Sequence, residues 1–209
     1  AFAFVEGLSA LATVPPIKES HVEMDAAWAL YEALLKVWSG EAELCLVYGF
    51  GKSSPGELRT VMSLQLDPYY HVPLWPDSIR LGALQARAML DSGVIGERDM
   101  AEVVARSRAN ARANPNAQLK GNPGIEQLLA EPTFVSPLRR HDCPPITDGA
   151  SAMIIASADA AARYCKRPAW VRGIDHRMET GIIGARDLTR SPSTRIAGEK
   201  AGVALGKVD

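Results

Sequence analysis

Apolar positions recur at three- and four-residue spacing through Val22, Ala26, Ala29, Leu30, Ala33 and Val37, which predicts a helix over residues 19–39 with Gly40 as its stop. Leu44 to Tyr48 is an unbroken apolar run closed by Gly49, the pattern of a strand buried on both faces. A helix followed by such a strand is an α/β unit. Ahead of it, residues 1–16 read as a short strand and a loop closed by Pro15-Pro16. After Gly51 the text changes: Pro55, Pro68, Pro73, Pro76, Pro115, Pro123, Pro132 and Pro137 separate short helical stretches. Two of these carry apolar stripes, Ser78 to Asp91, stopped by Gly93, and Glu97 to Arg112. The stretch reads as an excursion between two strands of one sheet. Asp148-Gly149 supplies a tight turn in which glycine takes positive φ, and Met153-Ile-Ile-Ala156 is the returning buried strand. A short helix from Ala158, a strand from Ala169 to Ile174 and a last helix from Ser193 to Ala201, stopped by Gly202, complete the pattern.

Composition narrows the class. A chain of 209 residues with 47% hydrophobic content can bury a substantial core in one or two domains. The net charge of −1, with lysine and arginine spread along the chain, offers no basic field for nucleic acid. No apolar run approaches the length of a membrane span. Cys45, Cys143 and Cys165 are odd in number and lack metal-ligand spacing, so no metal site is expected, and a reducing cytoplasm suits them.

Candidate chemistry gathers at the start of the first helix. Ser20-His-Val-Glu23 has the spacing of a capping box, in which Ser20 and Glu23 satisfy each other's orphan amides. The same Glu23, if buried, can exchange a proton with a substrate hydroxyl. Both roles are open. His21 is a candidate acid or base near neutral pH, or a partner for a loop carbonyl. Asp25 can orient His21, pair with Lys52, or remain a solvated acid favoured by the helix dipole. Between Leu66 and Pro76, Tyr69, Tyr70, His71 and Trp75 crowd a proline-stiffened loop, which suits either an apolar substrate pocket or a packed anchor. His141 and Asp142 serve a turn. Asp175-His176-Arg177 has triad-like residue types without a nucleophile elbow, and reads as structural or interface-forming. Gly49-Phe-Gly-Lys-Ser-Ser54 lacks the spacing of a phosphate-binding loop.

Several ordered stretches resemble the thiolase superfamily: Ser39-Gly-Glu-Ala-Glu43, Gly49-Phe-Gly-Lys-Ser-Ser54, Asn114-Pro-Asn-Ala-Gln118, and Pro137-Leu-Arg-Arg-His-Asp-Cys-Pro-Pro-Ile-Thr-Asp-Gly-Ala-Ser-Ala-Met153. Glu19 to Asp25, Tyr48 to Gly56, Leu66 to Asp77 and Ile174 to Thr189 are similar to actinobacterial thiolase-like lipid-transfer proteins, and within them to steroid side-chain retro-aldolases. The resemblance implies the layered α-β-α-β-α thiolase fold, here mainly its N-terminal half. It divides the chain into an N-terminal core over 1–50, a loop subdomain over 51–137, a return to the core over 138–168, and the start of a C-terminal half over 169–209. It covers about half of a family chain, as a fragment would. It also places Glu23 where a thiolase carries its nucleophilic cysteine, with His21 and Asp25 beside it. Implied with it are retro-aldol cleavage of a β-hydroxyacyl-CoA without a cofactor, a homodimer, and a small OB-fold acyl-CoA-associated partner. A thiolase acyltransferase and a non-catalytic acyl-CoA or lipid-binding subunit are the alternatives.

Overall fold

The computed structural model describes residues 20–22 and 25–203. The chain forms two compact units. One runs to Gly56, resumes over Ile146–Arg177 and takes the segment from Ser193 onward; the other comprises Glu57–Pro145 and Met178–Pro192.

The first unit is a helix laid on a two-stranded ribbon. Helix α1 (Ala26–Trp38) begins later than its apolar stripe predicts, because Asp25, not Ser20, is the N-cap. Its Oδ1 accepts from the amides of Ala27 at 2.9 Å and Trp28 at 3.1 Å, and residues 20–22 are non-helical. Ser39 closes the helix, and Gly40 turns the chain with φ of 77°. Strand β1 (Leu44–Gly51) then pairs antiparallel with a strand about a hundred residues away in sequence, Gly149–Ala156, in a register that sets Leu44 opposite Ala156 and Gly51 opposite Gly149. Gly149 is the first residue of that strand and does not have positive φ, so the predicted glycine turn is replaced by a side-chain tie. Asp148 accepts hydrogen bonds from the Ser54 hydroxyl and from the amides of Ser54 and Ser53. Those bonds, the Ser54 hydroxyl first, hold its carboxyl below the usual carboxylate range.

Alternation assigns the ribbon's faces. Val47 is buried, and a Cβ built on Gly49 would lie 2.6 Å from Ala26 Cβ, so these positions face α1. Leu44, Leu46 and Tyr48, with Ile154 opposite Leu46, face the other way and are exposed, Leu46 at 67% and Ile154 at 68%. This corrects the expectation of two buried strands: among the described residues a helix covers one face only. Ser157 caps the short helix Ala158–Tyr164, its amide donating to the Glu43 carbonyl at 2.9 Å, and Arg163 pairs with Glu43. Residues 169–174 do not form the expected strand, and among the described residues β1 and the 149–156 strand pair only with each other. That segment packs instead on the chain after helix Pro192–Lys200, so closely that a Cβ on Gly173 would collide with the Ala201 carbonyl oxygen. Gly202 follows with φ of 81°, as its predicted role as a stop requires.

The second unit is helical, with helices α2 (Leu58–Leu64), α3 (Ser78–Asp91), α4 (Glu97–Ala111) and α5 (Ile125–Leu129), and a small hairpin of β2 (Thr133–Val135) and β3 (Leu138–Arg139). The remaining elements are numbered accordingly: β4 is Gly149–Ala156, α6 Ala158–Tyr164 and α7 Pro192–Lys200. Asp77, 2% exposed, organises this unit. Its Oδ1 accepts from the Arg80 amide at 2.8 Å as the α3 N-cap, while Oδ2 meets Arg59 Nε at 3.1 Å and Arg80 Nη1 at 3.7 Å. A buried carboxylate needs such partners, because desolvation without them costs several kcal/mol. Arg139 reaches Glu97 and Arg98 reaches Glu126, each at 2.7 Å, fastening α4 to the hairpin and to α5. His141 and Asp142 serve a turn as expected, with His141 Nδ1 2.8 Å from Glu131 and Asp142 accepting from the Arg139 amide.

The Gly49–Ala26 approach makes a prediction. Substituting Gly49→Ala forces a methyl group into a contact with the Ala26 Cβ tighter than real Cβ atoms show, and that Cβ is fixed directly to the helix backbone. Overpacking of this kind costs about 1–3 kcal/mol. Chemical denaturation is expected to show that loss, and an unchanged midpoint would contradict the close contact.

Candidate functional site

Of the three residues proposed at the helix start, the structure gives a definite role to Asp25, which caps α1 and is exposed. Among the described residues no ion pair joins it to Lys52. His21 is exposed ahead of the helix, and Glu23 lies outside the described residues. The helix N-terminus still presents amide donors and a positive dipole end to whatever approaches it.

None of the three cysteines stands at a helix N-terminus. Cys45 lies within β1, Cys143 follows the 3₁₀ turn Arg140–Asp142, and Cys165 stands at the C-terminal end of α6. Burial pushes the thiols of Cys45 and Cys143 up from their ordinary value. A nucleophilic cysteine needs the opposite shift, supplied by a helix N-terminus or a neighbouring cation. No group of three metal-ligating side chains occurs among the described residues. None of the described helices is long and apolar enough to cross a membrane.

A cavity of about 640 Å³ lies within the second unit. Leu81 and Leu84 of α3, Leu74, Val135, Ile182 and Ile183 give it apolar walls, while Tyr70, His71, Arg80 and Arg87 supply the polar groups. Arg80 and Arg87, seven residues apart, lie on one side of α3. Each is tethered, Arg80 to Asp77 and Arg87 Nε to Asp91 at 3.0 Å. His71 is buried, and its Nε2 accepts from the Ile183 amide at 3.2 Å, which places the ring proton on Nδ1. The loop that carries it is shaped by Asp67, whose Oδ1 accepts from the amides of Tyr69 and Tyr70 at 3.0 and 2.8 Å.

Two of the four predicted pocket residues, Tyr70 and His71, line this cavity. The other two do not. Tyr69 is 82% exposed, and Trp75 ends the 3₁₀ turn Val72–Leu74 in a left-handed backbone conformation, φ 48°, uncommon for a bulky residue. Ile182 and Ile183 form a wall that spacing along the chain had not indicated, because the bond to His71 spans 112 residues.

Comparison with known proteins agrees with this architecture. No family model matches the chain. The chain is 30% identical over 196 residues to an acetyl-CoA acetyltransferase of Methanothermobacter thermautotrophicus, covering 91% of this chain and 51% of that protein. It is 28% identical over 195 residues to the corresponding enzyme of Methanocaldococcus jannaschii, covering 89% and 49%. Over 104 residues it is 33% identical to the benzoylsuccinyl-CoA thiolase subunit BbsB of Thauera aromatica, covering 49% and 27%. Among solved structures it resembles the Ltp2-ChsH2(DUF35) aldolase with a TM-score of 0.70 at 20% identity, over 87% of this chain and 49% of that one. The chain has a thiolase-like α/β fold and is similar in sequence to thiolases. It spans about half the length of the curated relatives it matches.

The His71 contact is open to direct test. His71→Ala leaves the Ile183 amide without its acceptor, at an expected cost of about 1–3 kcal/mol in thermal or chemical unfolding. His71→Gln restores an acceptor oxygen and is expected to recover part of the loss. Equal losses in the two variants would show that the hydrogen bond does not matter.

Proposed function

We propose that this protein cleaves a carbon–carbon bond of a β-hydroxyacyl-CoA by a retro-aldol reaction, releasing a ketone and a shorter acyl-CoA. The observation that carries the reading is the helix start itself. Where the resembling thiolases hold a thiolate, His21-Val-Glu-Met-Asp25 has no cysteine, and the two thiols shifted by burial are shifted the wrong way. The structural likeness to an aldolase supports the fold needed, and the acyl-CoA relatives support the substrate class.

In this reading a base takes the proton of the β-hydroxyl, the oxygen's electrons form the ketone, and the bond between the α and β carbons breaks. Its electron pair passes into the thioester as an enolate, which then takes a proton at the α carbon. Glu23 is the proposed base, His21 exchanges the proton, and Asp25 holds the first turn of α1 in place. Amide donors at that helix end suit a developing oxyanion. The cavity beside Tyr70 and His71, apolar and within the usual size of ligand sites, suits a bulky acyl group such as a steroid side chain. Tyr69 and Trp75, which do not line the cavity, are assigned to the same acyl group as further binding residues. The protein works without a cofactor, as a homodimer in the cytoplasm, with a small OB-fold partner; the name of the structural neighbour joins its aldolase to a DUF35 protein. A second reading, acyl transfer to CoA, is favoured by the names of the curated relatives.

Products identified by mass decide between the two. A tertiary β-hydroxyacyl-CoA is expected to yield ketone and shortened acyl-CoA, and a β-ketoacyl-CoA with free CoA is expected to remain intact. Glu23→Gln is expected to lower turnover by about 10² or more without lowering the melting temperature. Thiolysis of the keto substrate would overturn the reading.

A further inference from the structure

The triad-like motif at Asp175-His176-Arg177 is not absorbed by the reaction as drawn, yet it packs on α1. The His176 ring lies against Trp28, with centroids 3.9 Å apart and planes tilted by 54°, and meets Tyr31 edge-on at 4.7 Å and 84°. Trp28 and Tyr31 belong to the first two turns of the helix whose start holds the candidate catalytic residues. Along the axis Trp28 is only about 3 Å beyond Ala26. The two rings fix the imidazole in place, and residue 173, pressed on the Ala201 carbonyl, fixes the chain that carries it.

Within this clamp His176 Nδ1 is buried and meets no hydrogen-bonding group among the described residues. Asp175 Oδ2 beside it is buried as well; Arg177 Nη2 stands 3.2 Å away as an ion pair, off line for a hydrogen bond. A buried polar atom without a partner weakens a fold, and a phenylalanine ring would make the same aromatic contacts without that penalty. Such an unpaired atom calls for an explanation, and contact with a ligand supplies one.

We propose that His176 is a further binding residue for the substrate, with Nδ1 reserved for the acyl oxygen of a CoA thioester. The inference rests on the reading of this protein as an acyl-CoA enzyme. It does not depend on which bond is cleaved. The acyl oxygen is where negative charge develops in either chemistry, and a proton on Nδ1 makes the ring a donor to it. Because solvent does not reach Nδ1, the oxygen meets it only after the groups over it shift, so the contact forms with binding.

Two measurements on His176→Phe test this in the whole protein. The melting temperature is expected to rise, since the ring contacts stay and the unpaired nitrogen goes. Affinity is expected to fall about tenfold, the worth of one hydrogen bond of this kind, for a dethia-CoA ketone that keeps the acyl oxygen, and to stay unchanged for S-ethyl-CoA, which lacks it. A lower melting temperature, failure to fold, or equal effects on the two ligands would overturn the proposal and make His176 a packing residue. Neither ligand is cleaved, so a wild-type protein that binds both but cleaves no β-hydroxyacyl-CoA would sink the retro-aldol reading alone. Binding of neither to wild type would sink both.

Discussion

The first turn of α1 lies directly on β1, and it can do so because residue 49 has no side chain. With Ala26 at the helix start and Gly49 beneath it, the Ala26 Cβ sits where a Cβ on residue 49 would collide with it. The contact sets the height and direction of the helix N-terminus relative to the ribbon. Asp25 then completes the end by capping it. Everything assigned to that end depends on this placement: the amide donors, the residues just before it, and the ring clamp of Trp28 and Tyr31 around His176 one turn later.

A helix end of this kind favours negative charge, as the Asp25 carboxylate on its amides illustrates. In thiolase chemistry it activates a thiolate, and here the chain offers carboxylates and an imidazole in the same stretch. The consequence is chemical. A thiolate forms a covalent acyl intermediate, whereas a carboxylate or imidazole moves protons. The proposed lyase activity follows from keeping the acyl-CoA scaffold and exchanging one kind of group for the other. We assign the bulky acyl group to the apolar cavity lined by His71, because such a group needs walls with few polar atoms.

Much of the local structure was legible in the sequence where one element contains its own signals. Helix α3 runs from Ser78 to Asp91 as its stripe and Gly93 indicate, and β1 starts at Leu44 as its apolar run indicates. The start of α1 was misplaced because Ser20 and Asp25 are both good caps, and the capping-box spacing favours the wrong one. An unbroken apolar run also reports burial only when layers cover both faces. Leu46 and Ile154 are apolar and exposed, since α1 covers the other side. The hairpin of three and two residues is too short to leave a period. At the site, Tyr70 and His71 were visible as a cluster, but the wall formed by Ile182 and Ile183 was not, because tertiary contact brings it there. The motif at Asp175-His176-Arg177 was visible as residue types; only the structure shows the rings that hold it.

The absence of covalent catalysis is the central claim, and intact-protein mass spectrometry tests it most directly. After incubation with a β-ketoacyl-CoA, and separately with acetyl-CoA, and rapid acid quenching, the account predicts a protein of unchanged mass. A mass increase equal to one acyl group, mapped to any cysteine, would contradict it.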